Sequence, residues 1–243
     1  MTAIVLSVGT THPWNVAGIG RDLVVGGDLG ARVFTAVAAV SAQDGKGLVA
    51  LAPVPAGAFE SQLASLPWEA AGAVRVGALP TLALVRALAE RLRENPSLPA
   101  VVDPVFAASR GGELVDAAAR YGIRDEIATL PNVVLTPNLS EAALLLGTSG
   151  VDRDSIRDAA VSLRSRGACA VLVKGGHVAG DPIDALATAD GVELFCEPRI
   201  AGEMHGTGCT LAMALACELA GGTPLFHAVR AARAYTRAQI ARH

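Results

Sequence analysis

Short apolar runs that end in Gly, Asp, Asn or Lys alternate along this chain with longer stretches of helical period, and no other feature limits the fold as much. Such alternation marks βαβ units on a mainly parallel sheet. Strands are predicted over Ile4 to Val8, Val33 to Val40, Val74 to Val76, Ala100 to Val102, Val133 to Leu135 and Ala170 to Val173. An antiparallel pair is predicted over Ala185 to Thr188 and Val192 to Cys196, about an Asp190-Gly191 turn. Leu82 to Arg93, Ser140 to Leu146, Ser155 to Arg166, Thr210 to Ala220 and Pro224 to Ile240 carry apolar residues at three- and four-residue spacing and read as covering helices. Composition does not shift along the chain, no repeat appears, and Ala52 to Pro55 is too short for a linker, so a single α/β domain is expected over residues 1–243.

Hydrophobic residues make up 51% of the 243, enough for a sizeable core. Lys and Arg number 20 against 23 Asp and Glu, a net charge of -3, so no broad basic surface exists to hold a nucleic-acid backbone. Met1-Thr2-Ala3 enters an apolar run with no basic segment before it, and no export signal is expected. The apolar stretch near the C-terminus is broken by Glu218 and falls short of the roughly 20 residues of a membrane span. Cys169, Cys196, Cys209 and Cys217 form no CxxC pair, which suits a cytoplasmic location and argues against structural zinc.

Open sheets of this kind bind ligands beyond the carboxyl ends of their strands, and four such places carry chemistry. In His205-Gly206-Thr207-Gly208-Cys209-Thr210, two glycines before an apolar helix let backbone N–H groups converge on an anion. A plain glycine turn with a Thr cap has the same appearance. Val173-Lys174-Gly175-Gly176-His177 presents a cation at the end of a buried strand, as a phosphate-binding lysine or as a solvated one that opens a turn. In Thr136-Pro137-Asn138-Leu139-Ser140-Glu141, Asn138 and Glu141 share a helix face and can organise hydrated Mg²⁺, though an ordinary capping box uses the same two residues. Asp103-Pro104-Val105 puts an acid at a strand end, to place metal or phosphate or merely to cap a turn. Taken jointly, a cation, an NxxE pair, a strand-end acid and an anion hole describe phosphoryl transfer, which is mostly positioning and charge neutralisation. Neither a GxxxxGK[ST] loop nor a GxGxxG after the first strand is present.

With these motifs in order from about Val8 to Ile240, the chain resembles the hydroxymethylpyrimidine/phosphomethylpyrimidine kinases of thiamin synthesis, in the ribokinase-like superfamily. The HGTGCT form is the specific part, because most of that superfamily has Asp where Cys209 stands. The resemblance implies a three-layer α/β/α sandwich with a mainly parallel central sheet, ATP with Mg²⁺, a small-molecule pyrimidine substrate and a homodimer or larger homo-oligomer. It implies catalytic roles for Gly206, Thr207, Gly208 and Cys209 with Lys174, and ATP contacts from Lys174, Asp103, Gly206 and Gly208. Asn138 and Glu141 would organise the metal. Gly9, Asp22, Gln43, Val105 and Cys209 would face the substrate. A thiol at a helix N-terminus can have its pKa lowered from about 8.5, which would suit Cys209 to accept the hydroxyl proton.

Departures from the family gather on the substrate side. Gly9-Thr10-Thr11-His12-Pro13-Trp14-Asn15-Val16 replaces a glycine-rich loop, adding a residue and a Trp that either stacks on a ring or lies exposed. Phe106 to Gly112 lacks the family's Lys and acid, leaving Arg110 to hold a phosphate in their place. The family's tail after the last helix has no counterpart before His243. A vitamin B6 kinase and a regulatory paralogue without turnover are the rival expectations.

Overall fold

A computed structural model of the chain describes residues 2–44, 47–108, 110–176, 180–202 and 204–242; His177 and Ser109 lie outside them. Among the described residues nine strands form one sheet: β1 (Ile4–Thr11), β2 (Arg32–Asp44), β3 (Gly47–Pro53), β4 (Ala73–Val76), β5 (Ala100–Val102), β6 (Val133–Leu135), β7 (Ala170–Lys174), β8 (Ile183–Thr188) and β9 (Gly191–Cys196). Their order is β3-β2-β1-β4-β5-β6-β7-β8-β9, parallel from β2 to β7, with β3, β8 and β9 antiparallel. The order reverses between β1 and β4, the kind of switch point at which open sheets take ligands.

Helices α1 (Gly18–Asp28), α7 (Thr207–Ala220) and α8 (Leu225–Ile240) cover one face. Helices α2 (Ala56–Ala64), α3 (Leu82–Glu94), α4 (Ala117–Gly122), α5 (Leu139–Leu146) and α6 (Ile156–Arg164) cover the other. Period-two alternation divides the core: Val5, Ala73 and Val101 pack with Leu211 to Cys217 of α7, while Leu6, Val74 and Val102 pack with Leu84 and Leu88 of α3. Among the described residues no helix is long and apolar enough to cross a membrane. An apolar hollow at the amino ends of β5 to β7, lined by Pro96, Pro99, Leu219 and Leu225, offers little for chemistry.

Strands β4 to β7 lie where the apolar runs predict them. The hairpin turn is displaced by one residue: Thr188 pairs with Gly191, so Ala189 and Asp190 make the turn and Gly191, at φ 137°, begins β9. Helix α1 has no forecast because four of its eleven residues are glycine, each costing about 1 kcal/mol relative to Ala in a helix. Its stability comes from packing Ile19 and Val25 inward. The arm strand β3 is also unforecast, since its exposed Val49 spoils a simple inside-outside pattern.

Candidate active site

The first turn of α7 is aimed by a backbone constraint. Gly206 caps it at φ 79°, and a Cβ there would strike the Val16 carbonyl oxygen, so only glycine fits. Thr207, Gly208 and Cys209 follow as the first three helical residues, whose N–H groups have no intrahelical acceptor. Thr210 stays behind the turn, its Oγ1 donating to the Gly206 carbonyl at 2.9 Å. Gly206→Ala is expected to cost about 2 kcal/mol or more, read from the chemical-denaturation midpoint.

Lys174 ends β7 and reaches across the sheet to this turn. A Cβ on Gly208 would lie 3.2 Å from Lys174 Nζ and 3.5 Å from Asp103 Oδ2, which brings three of the sequence-assigned groups into one place. Lys174 Nζ donates to Asp103 Oδ1 at 2.6 Å, and Thr136 Oγ1 donates to the same oxygen at 3.4 Å. Burial works against the ammonium, but Asp103 and Glu141 outweigh it and hold the Lys174 pKa above its ordinary value. A parallel bridge between Asn138 and Lys174 draws the start of α5 to the end of β7.

Asn138 and Glu141 form the capping box: Asn138 Oδ1 accepts from the Glu141 N–H at 2.9 Å and Glu141 Oε2 accepts from the Asn138 N–H at 2.7 Å. That leaves Glu141 Oε1 without a partner among the described residues. Burial pushes the Glu141 carboxyl up to about 7, with Lys174 opposing and Asp103 adding to the rise. A carboxyl raised in the folded state favours folding most below its ordinary pKa near 4.5, and that contribution is lost as pH rises to 7. Glu141→Gln keeps the cap, so its Tm relative to the unmodified protein is expected to improve between pH 4.5 and pH 7.

Cys209 corrects an expectation. Its thiol pKa lies above the ordinary value, because burial in the wall of α7 disfavours the thiolate; Arg75 and the Gly18 N–H oppose this, and Asp103 and Asp22 add to it. A helix N-terminus does not outweigh the loss of water at a residue 8% exposed.

The residues assigned to the substrate side spread over more than one layer. Gly9 is buried at the end of β1, beside a register shift between Gly9 and Thr10, and Val105 follows a tight turn in which its N–H donates to the Asp103 carbonyl at 2.8 Å. Gln43 is half-buried on β2, and its Nε2 donates to Ser41 Oγ at 3.0 Å. Asp22 is fully buried, accepts from Ser7 Oγ at 2.7 Å and lies 3.3 Å from Arg75, so its carboxylate is engaged by interior partners. Trp14 is 62% exposed, whereas His12 is buried and its Nε2 accepts from the Ala17 N–H at 3.2 Å. Arg110 is exposed, near enough to His205 to help lower that imidazole's pKa after the larger effect of burial.

One residue in the cluster has no counterpart in the sequence reading. Arg75, in β4, is wholly buried between Asp22 and Asp103, at 3.3 and 3.6 Å. Its only sequence signal is a charge inside the four-residue apolar run Ala73 to Val76. The outcome is a buried row of alternating charge, Asp22, Arg75, Asp103, Lys174 and Glu141, that crosses the sheet beneath the first turn of α7.

Residues 13–243 match the family model described as phosphomethylpyrimidine kinase. The chain belongs to that family. It is 36% identical to the hydroxymethylpyrimidine/phosphomethylpyrimidine kinase of Streptomyces coelicolor over 98% of this chain and 88% of that one. With the enzyme of the same name from Rhizobium meliloti it shares 37% identity, over 99% of this chain and 91% of the relative. In three dimensions it is similar to a Bacillus subtilis pyridoxal kinase solved as an ADP complex, with a TM-score of 0.88 and 26% identity, over 97% of this chain and 90% of the kinase. The expected ribokinase-like sandwich is therefore the fold this phosphomethylpyrimidine kinase family member adopts.

Proposed function

We propose that this chain transfers the γ-phosphate of ATP to the hydroxymethyl group of 4-amino-5-hydroxymethyl-2-methylpyrimidine, and then a second phosphate to the resulting monophosphate, in thiamin biosynthesis. The observation that carries the reading is the meeting of Lys174 with the first turn of α7 at Gly208, which puts a cation and unsatisfied N–H groups at one spot. Relatives of that name matching along nearly the whole chain support the substrate, and the ADP complex of the pyridoxal kinase supports an adenine nucleotide. The one nine-stranded sheet supports reading the chain as a single kinase domain.

In this reading the hydroxyl oxygen of the pyrimidine attacks the terminal phosphorus while ADP departs. The Thr207, Gly208 and Cys209 amides and the Lys174 ammonium meet the charge on the transferred group. The hydroxyl proton passes to the Cys209 sulfur in its thiolate form, a modest demand because a loose transition state asks little of its base. Since burial holds the thiol pKa up, turnover rises with pH above neutrality as the thiolate fraction grows. Glu141 fits a hydrated Mg²⁺, since it is anchored through Oε2 and offers Oε1, and that ion keeps most of its waters. Asn138 supports it by fixing the start of α5. When bound, the ion supplies positive charge to the phosphate oxygens.

Gln43, with a donor and an acceptor on one amide, suits the aminopyrimidine edge. Gly9 and Val105 complete the wall in this reading, with Asp22 acting from behind. A homodimer or larger assembly also belongs to it, supported by the arm of β2 and β3, where Val40 and Val49 are exposed. Purified protein given ATP, Mg²⁺ and the pyrimidine or its monophosphate is expected to release ADP only when the alcohol is present. ADP release no faster than in buffer, with the pyrimidine bound, would favour a regulatory binder instead.

A further inference from the structure

The buried pair of Arg233 in α8 with Asp184 in β8 lies outside the cluster described above. Arg233 Nη1 donates to Asp184 Oδ2, and Asp184 Oδ1 accepts from the Gly175 N–H at 2.9 Å, so one carboxylate ties α8 to the residue that follows Lys174. Arg233 is itself fixed: its guanidinium lies 5.0 Å from the centre of the Phe195 ring, and its Nη2 is 3.4 Å from Glu197 Oε2, which Arg237 Nε holds in turn at 2.9 Å. Buried ion pairs add little net stability over well-packed apolar side chains, so stability alone gives no account of this one. Its place in the sheet does. Lys174 and Asp184 stand opposite each other in the antiparallel β7–β8 pair, which sets their Cβ atoms about 5 Å apart on one face. Leu172 and Leu186 pack against the α7 and α8 side, and by period-two alternation Lys174 and Asp184 face that side too. A carboxylate so placed competes with Asp103 for the ammonium unless another cation holds it. The chain leaving β7 is also held residue by residue: the Lys174 N–H donates to the Pro137 carbonyl at 2.8 Å, the Gly175 N–H to Asp184, and the Gly176 carbonyl accepts from Arg199 Nη1 at 3.0 Å. Gly175 passes so close to β8 that a Cβ there would strike the Ile183 carbonyl oxygen.

We propose that Asp184, held by Arg233, is a positioning residue for phosphoryl transfer: it anchors the Gly175 N–H where β7 ends, and with its charge taken up by α8 it leaves the Lys174 ammonium to the first turn of α7. The inference rests on the reading of Lys174 as the cation that meets the phosphates. Asp184 does not touch the phosphates in that reading. Its two oxygens divide the work, Oδ1 fixing the backbone beside Lys174 and Oδ2 taking the charge of Arg233. Without Arg233, Asp184 is a buried acid whose cross-strand partner is Lys174, and the ammonium is drawn toward β8, away from Asp103 at 2.6 Å and from Gly208. Without the bond to Gly175, the strand end that carries Lys174 loses its fixed exit.

Lysine ¹³Cε NMR of the full chain without nucleotide tests this apart from activity, because Lys46 is the only other lysine and the spectrum holds two signals. Arg233→Met is expected to move the Lys174 signal and to lower kcat by about 10- to 10²-fold, the scale of a misplacement near 1 Å. Adding Asp184→Asn should return both most of the way, since the Asn carbonyl still accepts from the Gly175 N–H and carries no charge to draw the ammonium. A pair that serves only the fold lowers Tm and, well below the melting transition, moves neither. A Lys174 signal that stays in place in Arg233→Met, or one that moves while kcat does not, overturns the proposal. If Arg233→Met does not fold, two variants without a stranded charge decide: Arg233→Met/Asp184→Asn keeps the acceptor for Gly175, Arg233→Met/Asp184→Ala lacks it, and the Lys174 signal is expected to move in the second alone. Coincident signals in those two overturn the proposal. A moved signal in a chain whose unmodified form does not turn over ATP would leave the hold on Lys174 intact and remove the phosphoryl-transfer reading instead.

Discussion

Lys174→Met is expected to lower kcat by about 10²- to 10³-fold, the usual consequence of removing one preorganised charge from a transition state. It is also expected to destabilise the fold by about 3 kcal/mol, because Asp103 would lose the ammonium at 2.6 Å and keep only the Arg75 guanidinium at 3.6 Å, while the nearby Glu141 would lose its cation. These two effects separate in a second variant. Lys174→Met/Asp103→Asn removes the stranded charge, so its denaturation midpoint should return most of the way while turnover stays low. Recovery of turnover along with stability would mean that Lys174 serves the fold and not the phosphate.

Cys209→Ala should lower kcat by about 10²-fold, at the low end of general acid–base effects, since the proton moves late in a loose transition state. The KM for ATP should change by less than about twofold. Its amide N–H groups are properties of the α7 backbone held by Gly206, and the substitution does not touch them. A matching fall in ATP affinity would relocate Cys209 from the reacting hydroxyl to the nucleotide.

What the sequence made legible follows from how local each signal is. Strands β4 to β7 were readable because buried parallel strands are continuous apolar runs bounded by turn residues. Lys174, Asp103 and Gly208 were readable as strand-end and helix-start residues, and the topology brings them within a few ångströms. Helix α1 was not, as its glycines deny it intrinsic propensity and its packing is a tertiary property. Arg75 was not either: one cation in an apolar run has meaning only once Asp22 from α1 and Asp103 from beyond β5 converge on it. The direction of the Cys209 shift was misjudged because a helix N-terminus is visible in sequence while the depth of burial is not. At Asn138 and Glu141 the capping box forms, with one oxygen of the carboxylate closing it and the other left over for the metal role proposed above.

The loop from Thr10 to Val16 departs from the family pattern and, in the proposed reading, borders the substrate wall, so the identity of the alcohol is the central claim. The ratio of kcat/KM for 4-amino-5-hydroxymethyl-2-methylpyrimidine to that for pyridoxal, measured under the same ATP and Mg²⁺, tests it most directly. A ratio well above one is predicted. A ratio below one would contradict the pyrimidine assignment and make the chain a vitamin B6 kinase on the same fold.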